Sequence, residues 1–219
     1  MTAISYNNFK KEITFWLRNN DFLTTTERDV TTTTATGTFA SATSYLLNVP
    51  DVKNIRSIVV DAVTLSYGTD YVYDNDYLDT TIKTRITFTT AQTGAYVITY
   101  DYGSDKIHSD LPRNDLTISS FPRIGVEIIG EDSEDNELGG GSEIINISFM
   151  IVVYHPKTVN VDDIITAIKS QMLIDKKSFF YGKYMKKLST GPLTIFIDGK
   201  QKIFQRNIDY LSILNEETV

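Results

Sequence analysis

Two histidines, His108 and His155, are the side chains best suited to act as general bases, because imidazole titrates near neutral pH. A nucleophilic mechanism would also need a cysteine or an activated serine beside such a base. The chain has no cysteine, and no Gly-x-Ser-x-Gly turn occurs in it. His155 precedes Pro156 at a predicted strand end, and His108 lies among polar loop residues. We therefore expect turn or surface roles for both histidines, and no catalytic residue.

Two further segments have a partial likeness to ligand-binding loops. Asp74–Asp79 resembles the start of a calcium loop, but its sixth position is not glycine and Arg85 occupies the place of the final glutamate. Gly139–Gly141 lacks the Gly-Lys-Ser/Thr ending of a phosphate loop. Without cysteine, and with only two histidines, thiolate and multi-histidine metal centres are excluded. We expect no metal site and no bound cofactor.

A strongly acidic segment separates two predicted strands. Gly130–Ser142 contains five carboxylates, no basic residue and three consecutive glycines. A flexible tip cannot hold two carboxylates at the fixed spacing that glycoside hydrolysis requires. The remaining interpretations are a solvated loop, or a negative surface that repels anions or binds cations weakly. The acidic residues of this tip are Glu131, Asp132, Glu134, Asp135 and Glu137.

A basic section rich in aromatic residues lies further along the chain. It has three interpretations: a nucleic-acid surface, an amphipathic helix with solvated lysines, or a subunit contact in which it meets the acidic tip of a neighbouring copy. The net charge of −7 and the pI of about 4.9 oppose broad attraction to nucleic acid. The lysines of this basic section are Lys176, Lys177, Lys183, Lys186 and Lys187.

Length and composition are those of an ordinary globular protein. The 219 residues suit one large domain or two small ones, and the 41% hydrophobic and 22% charged fractions are typical values. No apolar run approaches the roughly 18 residues that a membrane-spanning helix needs. The first residues lack the basic region and apolar core of a signal peptide. We expect no membrane association.

The sequence of the first half of the chain predicts one helix followed by a β-rich block. Apolar residues at helical spacing predict a helix over residues 6–19. Twenty of the 28 threonines lie between Thr24 and Tyr100, and β-branched residues favour strands. Gln92–Gly94 is expected to form a turn between the last two strands of the block. Strands are predicted at residues 45–47, 57–63, 69–73, 85–88 and 96–102.

The second half alternates between strand and helix signals. Alternating apolar residues predict a long antiparallel hairpin over residues 123–154, with the acidic tip between its strands. Asn160 is expected to cap a helix, and a second short helix is expected at residues 178–188. Asp198-Gly199 indicates a final hairpin, whose last strand runs from Lys202 to about Leu214.

The helix at residues 6–19 has an apolar face but no nearby partner in the sequence. The simplest solution packs it on the C-terminal sheet, so that the β block becomes an insertion whose ends lie close together. The predicted fold class is therefore α+β: an antiparallel sheet flanked by helices, with an inserted all-β sandwich. The predicted domains are residues 1–27 with 111–219, and the insertion at residues 28–110.

This layout carries a family resemblance. Its elements are the N-terminal helix, the hairpin with its acidic, glycine-rich tip, and the segments Pro122–Val126, Asn160–Ile165 and Gln205–Leu211. Together they resemble the tail terminator proteins of long-tailed bacteriophages, over about residues 1–27 and 111–219. The β block, with Tyr67–Tyr71 followed by short strands, is similar to the small β-sandwiches that decorate many phage virion proteins.

The resemblance implies a ring, commonly a hexamer, at the head-proximal end of the tail tube. Such a ring stops tube growth and joins the tail to the neck, and DNA passes through its lumen without specific binding. The implied partners are other copies of the chain, the tail tube protein, and neck or head-completion proteins. The implied location is the virion, after synthesis in the host cytoplasm. The acidic tip would line the lumen or a ring face, and the insertion would face outward.

Three other classes of function are weighed against this one. The chain could be another neck, tail or baseplate component. It could also bind a glycan or receptor through the tyrosines of the insertion, which could equally be core and cross-strand residues. An enzyme lacks an assembled nucleophile, metal or cofactor motif. The tyrosines in question are Tyr67, Tyr71, Tyr73 and Tyr77.

Overall fold

A computed structural model of the chain describes residues 6–49, 52–78, 82–108, 121–135, 142–180, 183–198 and 201–217. Of the described residues, 63% lie in strands and 20% in helices, and the strands form two sheets. This corrects the predicted α+β class with flanking helices to a β-rich fold. The strand content exceeds the prediction because several strands run through segments that the sequence suggested were turns or loops.

The elements are named in chain order. They are α1 (Tyr6–Asn19), α2 (Thr25–Arg28), β1 (Val30–Leu47), β2 (Val52–Val60), β3 (Val63–Leu65), β4 (Tyr71–Leu78), β5 (Ile82–Gly103), β6 (Ile107–His108), β7 (Arg123–Asp135), β8 (Ser142–His155), α3 (Thr158–Asp175), β9 (Lys183–Thr190), β10 (Thr194–Asp198) and β11 (Gln201–Glu217).

The chain divides into two compact units. Met1–Leu23 and Lys106–Val219 form the discontinuous unit, and Thr24–Asp105 forms the inserted unit. The predicted boundaries, at 27/28 and 110/111, differ from these by a few residues, and α2 belongs to the inserted unit.

The inserted unit is one antiparallel sheet that bends around its own core. β1 pairs along β5, whereas β4 pairs with the first half of β5 and β2 with the second half. Both long strands are irregular where Phe39–Ser44 faces residues 87–94, and Gly94 has a φ of +120° there. Bulges of this kind bend a strand. The Tyr73 hydroxyl donates to Asn54 Oδ1 at 3.2 Å, which links β4 to β2 across the bend.

Residues 92–94 therefore do not form the predicted turn. β5 continues through them as one strand of 22 residues. The glycine provides the positive φ that the bulge requires, and sequence signals for a bulge and for a turn are the same. The core that the bend encloses includes Ile58, Tyr71, Ile86, Ile98 and Tyr100.

A buried ion cluster joins the two ends of the inserted unit. The Arg28 side chain is fully buried, and its Nη1 donates to Asp101 Oδ2 at 2.9 Å. Its Nε and Nη2 donate to the Asp105 carboxylate at 3.1 and 3.2 Å. Thr24 and Glu27 form a capping box that fixes the short helix carrying Arg28. The first and last residues of the unit are thus held together.

The discontinuous unit is built on a six-stranded sheet with the order β10-β11-β8-β7-β6. β7 and β8 form the predicted long hairpin, which is confirmed. β11 pairs with β8 on one side and with β10 and then β9 on the other. The final hairpin is also confirmed, because Asp198 pairs with Gln201. β9 and β10 together form one edge of the sheet, and β7 lies toward the other.

The two longer helices contribute to the same core as this sheet. α1 has the predicted bounds, and its residues Phe9, Ile13, Trp16 and Leu17 are buried. Trp16 Nε1 donates to Asp175 Oδ2 at 2.7 Å, which ties α1 to the end of α3. The buried residues of α3 are Val161, Ile165, Ile168 and Met172.

The predicted helix after residue 160 is confirmed, but its expected cap at Asn160 is wrong, and so is the helix expected at residues 178–188. α3 begins at Thr158, with Asn160 inside its first turn, because His155 Nδ1 accepts the Lys157 N–H at 2.9 Å and so sets the turn before Asn160. The helix expected at residues 178–188 is largely strand β9. As a strand it buries Met185 against the core while the neighbouring lysines stay in solvent.

Replacing Arg28 tests the ion cluster. Arg28→Ala leaves two buried carboxylates without their principal cation, so we expect a loss of about 3–5 kcal/mol in the free energy of unfolding. Arg56 also donates to Asp101, but from a site nearer solvent, and Arg56→Ala should cost less. Urea denaturation followed by circular dichroism measures both. If both variants lost the same small amount of unfolding free energy, this account of the cluster would be contradicted.

Candidate functional site

Both histidines belong to strands of the discontinuous unit. His155 is buried, so a surface role is wrong, whereas the expected turn role is confirmed. Its Nδ1 accepts the Lys157 N–H, and its Nε2 lies 3.1 Å from Asn160 Nδ2. His108 lies in β6, beside β7. The ring nitrogens of His155 thus fix the connection between β8 and α3.

The ligand-loop likenesses are not supported in the described part of the chain. Asp74 to Leu78 lie in strand β4, where Asp74 pairs with Arg85, so they do not form a calcium loop. Gly139–Gly141 lies outside the described residues. No group of three or more histidine, aspartate or glutamate side chains in the described ranges is arranged to hold a metal ion.

Of the candidate tyrosines that the structure describes, Tyr71 is buried in the core, and Tyr67 and Tyr73 are partly buried against it. Tyr71 is only 2% exposed. Tyr67 packs against Tyr71 and Tyr73, with ring centroids 5.8 and 5.6 Å apart. The side chain of Tyr77 lies outside the described residues. These contacts favour the core and cross-strand interpretation over an exposed platform for stacking on sugars.

The acidic tip is partly a strand. Glu131 and Asp132 lie in β7, pair with Ile147 and Asn146 of β8, and are exposed. β7 continues through Glu134 and Asp135, so the ladder extends further into the acidic segment than a flexible tip would allow. Glu137 lies outside the described residues. Beyond Gly125, β7 has no further strand partner on its outer side among the described residues.

The basic section is split among three positions. Lys186 and Lys187 are exposed on β9. Lys183 is half-buried, and its Nζ lies 2.6 Å from Glu12 Oε1 on α1. Lys176 and Lys177 are exposed directly after α3. The predicted amphipathic helix is therefore replaced by an edge strand with two exposed lysines.

The result is a sheet with differently charged edges. Glu131 and Asp132 mark the β7 edge, Lys186 and Lys187 mark the β9 edge, and β8 and β11 lie between them. On β7, Ile129 is 58% exposed, and on β9, Leu188 is 50% exposed. The edge that β9 forms with β10 also exposes Tyr184, Ile195 and Ile197. Neither Ile129 nor Leu188 was singled out from the sequence. An apolar residue out of step with the alternation, as in Ile128-Ile129, is the signal that could have indicated them.

The discontinuous unit also has a surface groove. It has a volume of about 480 Å³ and lies between α3 and the residues that follow α1. Asp21 and Asp163 line it, but its lining contains no histidine, lysine or arginine.

No protein-family profile matches this sequence, and no curated protein matches it either. Within the described residues, none of the helices is both long enough and apolar enough to cross a membrane.

Alkaline titration tests whether the tyrosines of the inserted unit are buried. Burial, together with the hydrogen bond that Tyr45 shares with Tyr96, raises the pKa of Tyr45 to about 12. Burial also raises the pKa of Tyr71 and of Tyr100. The contribution of these groups to stability is complete below about pH 10 and is lost as the pH rises toward their folded-state pKa values. We expect absorbance at 295 nm to show a class of tyrosines that ionise well above pH 10.

The control for this titration is the same chain unfolded in urea, in which every tyrosine should ionise near pH 10. A native protein whose tyrosines all titrate with the unfolded chain would contradict the burial. Such a result would also favour the hypothesis that exposed tyrosines of the insertion bind a glycan or receptor.

Proposed function

We propose that this chain is a structural protein of a bacteriophage virion. In this proposal it assembles into a ring at the head-proximal end of the tail, ends the growth of the tail tube and joins the tail to the neck. DNA passes through the lumen without specific binding. The proposal rests on the resemblance to tail terminator proteins and on one structural observation about the sheet of the discontinuous unit.

That observation is the charge difference between the two sheet edges. A copy that has an acidic surface on one side and a basic surface on the other favours contact between unlike surfaces. Two-fold dimers would join like edges, where equal charges repel. Contacts between unlike surfaces are head-to-tail. They close into a ring when a whole number of identical rotations from one copy to the next makes a full turn. The edge charges therefore support a ring.

The other features are compatible with a structural role. Helices α1 and α3 share a core with the sheet, and we propose that this unit is the terminator-like part of the chain. The net charge of −7 disfavours attachment to the DNA backbone. Other copies of the chain, the tail tube protein and the neck proteins are the proposed partners, and the virion is the proposed location.

Two experiments test the proposed function. The mass of the purified protein in solution, followed by negative-stain imaging, should give a closed ring with a central hole. Added to tail tubes that are growing from purified tube protein, the ring should stop elongation and remain at one end. A different neck or baseplate component would leave elongation unchanged. A monomer that neither forms rings nor caps tubes would contradict the proposal.

A further inference from the structure

The two exposed aliphatic residues on the sheet edges occupy equivalent structural positions. In β7 the pairing with β8 shifts between Ile128 and Gly130, so Ile129 is an extra, bulged residue. In β9 the pairing with β11 passes from Lys187 to Ser189, so Leu188 is also bulged. Bulges interrupt the backbone hydrogen-bonding pattern of an edge strand. Each bulge therefore presents an exposed aliphatic side chain at a point where the regular ladder is interrupted.

The two bulges also lie at nearly the same height along the strands. Across the sheet, one row joins Gly130 to Lys186 through β8 and β11, and the next row joins Ile128 to Lys187. Ile129 lies between these two rows, and Leu188 follows the second. Their offset is about one residue, or roughly 3 Å. A closed ring relates its copies by rotation without translation along the axis, so surfaces that meet must lie at matching heights.

The strand directions are compatible with the same contact. Successive neighbours in the order β7, β8, β11, β9 are all antiparallel, so β7 and β9 run in opposite directions. Rotation about an axis parallel to the strands preserves these directions. The β7 edge of one copy would therefore lie antiparallel to the β9 edge of the next, which continues the alternation within each sheet.

The charged residues flank the aliphatic pair on both faces of the sheet. Glu131 pairs with Ile147, and Lys187 pairs with Tyr210. Ile147 and Tyr210 are both buried on one face of the sheet, so Glu131 and Lys187 lie on that same face. Asp132 and Lys186 share the opposite face. On each face the lysine is offset from the acid by two rows, the diagonal spacing at which long side chains on neighbouring strands still interact. The apolar centre and charged rim are the usual anatomy of a protein interface.

We infer that a second copy of this chain is the partner of these edges, with Ile129 of one copy packed against Leu188 of the next. In this contact Glu131 and Asp132 surround the apolar pair from one side, and Lys186 and Lys187 from the other. The inference rests on the proposed ring-forming function and names the surface through which the ring closes.

Charge reversal tests this surface. The basic-edge variant carries Lys186→Glu and Lys187→Glu, and the acidic-edge variant carries Glu131→Lys and Asp132→Lys. Each variant alone has two edges of the same sign, so self-association should weaken roughly tenfold or more. An equal mixture of the two variants should recover association, because every contact in an alternating ring then joins unlike edges. Sedimentation velocity at low and high salt measures each case.

Matched controls separate this contact from general effects. Lys176→Glu with Lys177→Glu makes the same change in net charge away from the β9 edge and should leave association unchanged. Leu188→Ser should weaken association roughly tenfold, whereas Val159→Ser, at an exposed aliphatic residue of α3, should not. Circular dichroism verifies that each variant is folded.

The possible outcomes distinguish this inference from the proposed function. Loss of association in both edge variants with recovery in their mixture supports the surface. Rings that persist in both variants would overturn the surface and leave the proposed function intact. Loss without recovery in the mixture would also overturn the pairing. A wild-type chain that remains monomeric at all concentrations, and that fails to cap tubes, would overturn the proposed function itself.

Discussion

The pairing of β11 along both of its sides is the constraint on which the discontinuous unit depends. β11 holds β8 on one side and β9 with β10 on the other. This pairing places Ile208, Tyr210 and Leu214 in the core that α1 and α3 share. It also fixes which strands become edges: the acidic strand β7 and the basic strand β9 are separated by two strands and so face away from each other. The charge difference between the edges is thus a consequence of strand order.

The inserted unit depends on a different interaction. Its bent sheet has its own apolar core, and the Arg28 cluster joins the residues where the chain enters and leaves. Burying a guanidinium is costly unless its donors are satisfied, and here two aspartates accept from it. An insertion closed in this way leaves its two chain ends close together, as the interruption of another unit requires. Nothing in the pattern of apolar residues indicates this cluster, because Arg28 is 73 residues from Asp101 and 77 from Asp105 in the sequence.

The elements with strong periodicity were predictable, whereas the functional surface was only partly so. The helix at residues 6–19, the long β7–β8 hairpin and the Asp198-Gly199 hairpin follow from spacing and turn chemistry. The lysines at residues 183–187 could equally lie on a helix, and only the pairing with β11 makes them an edge strand. Glu131 and Asp132 were recognised as a negative surface, but their place opposite the lysines depends on strand order. Ile129 and Leu188 gain their significance from bulges, which are set by pairing between distant segments.

Cysteine cross-linking between Ile129→Cys and Leu188→Cys tests the central claim most directly, because the chain has no cysteine of its own. A disulfide requires Cα atoms within about 7 Å, so it reports the contact itself. A chain carrying both substitutions should give, on oxidation, a ladder of covalent oligomers that ends at the number of copies in the ring. Each single variant should stay uncross-linked, and a mixture of the two should give covalent dimers. Cross-linked dimers of either single variant, or assembled double variants that form no disulfide, would contradict a head-to-tail contact through these edges.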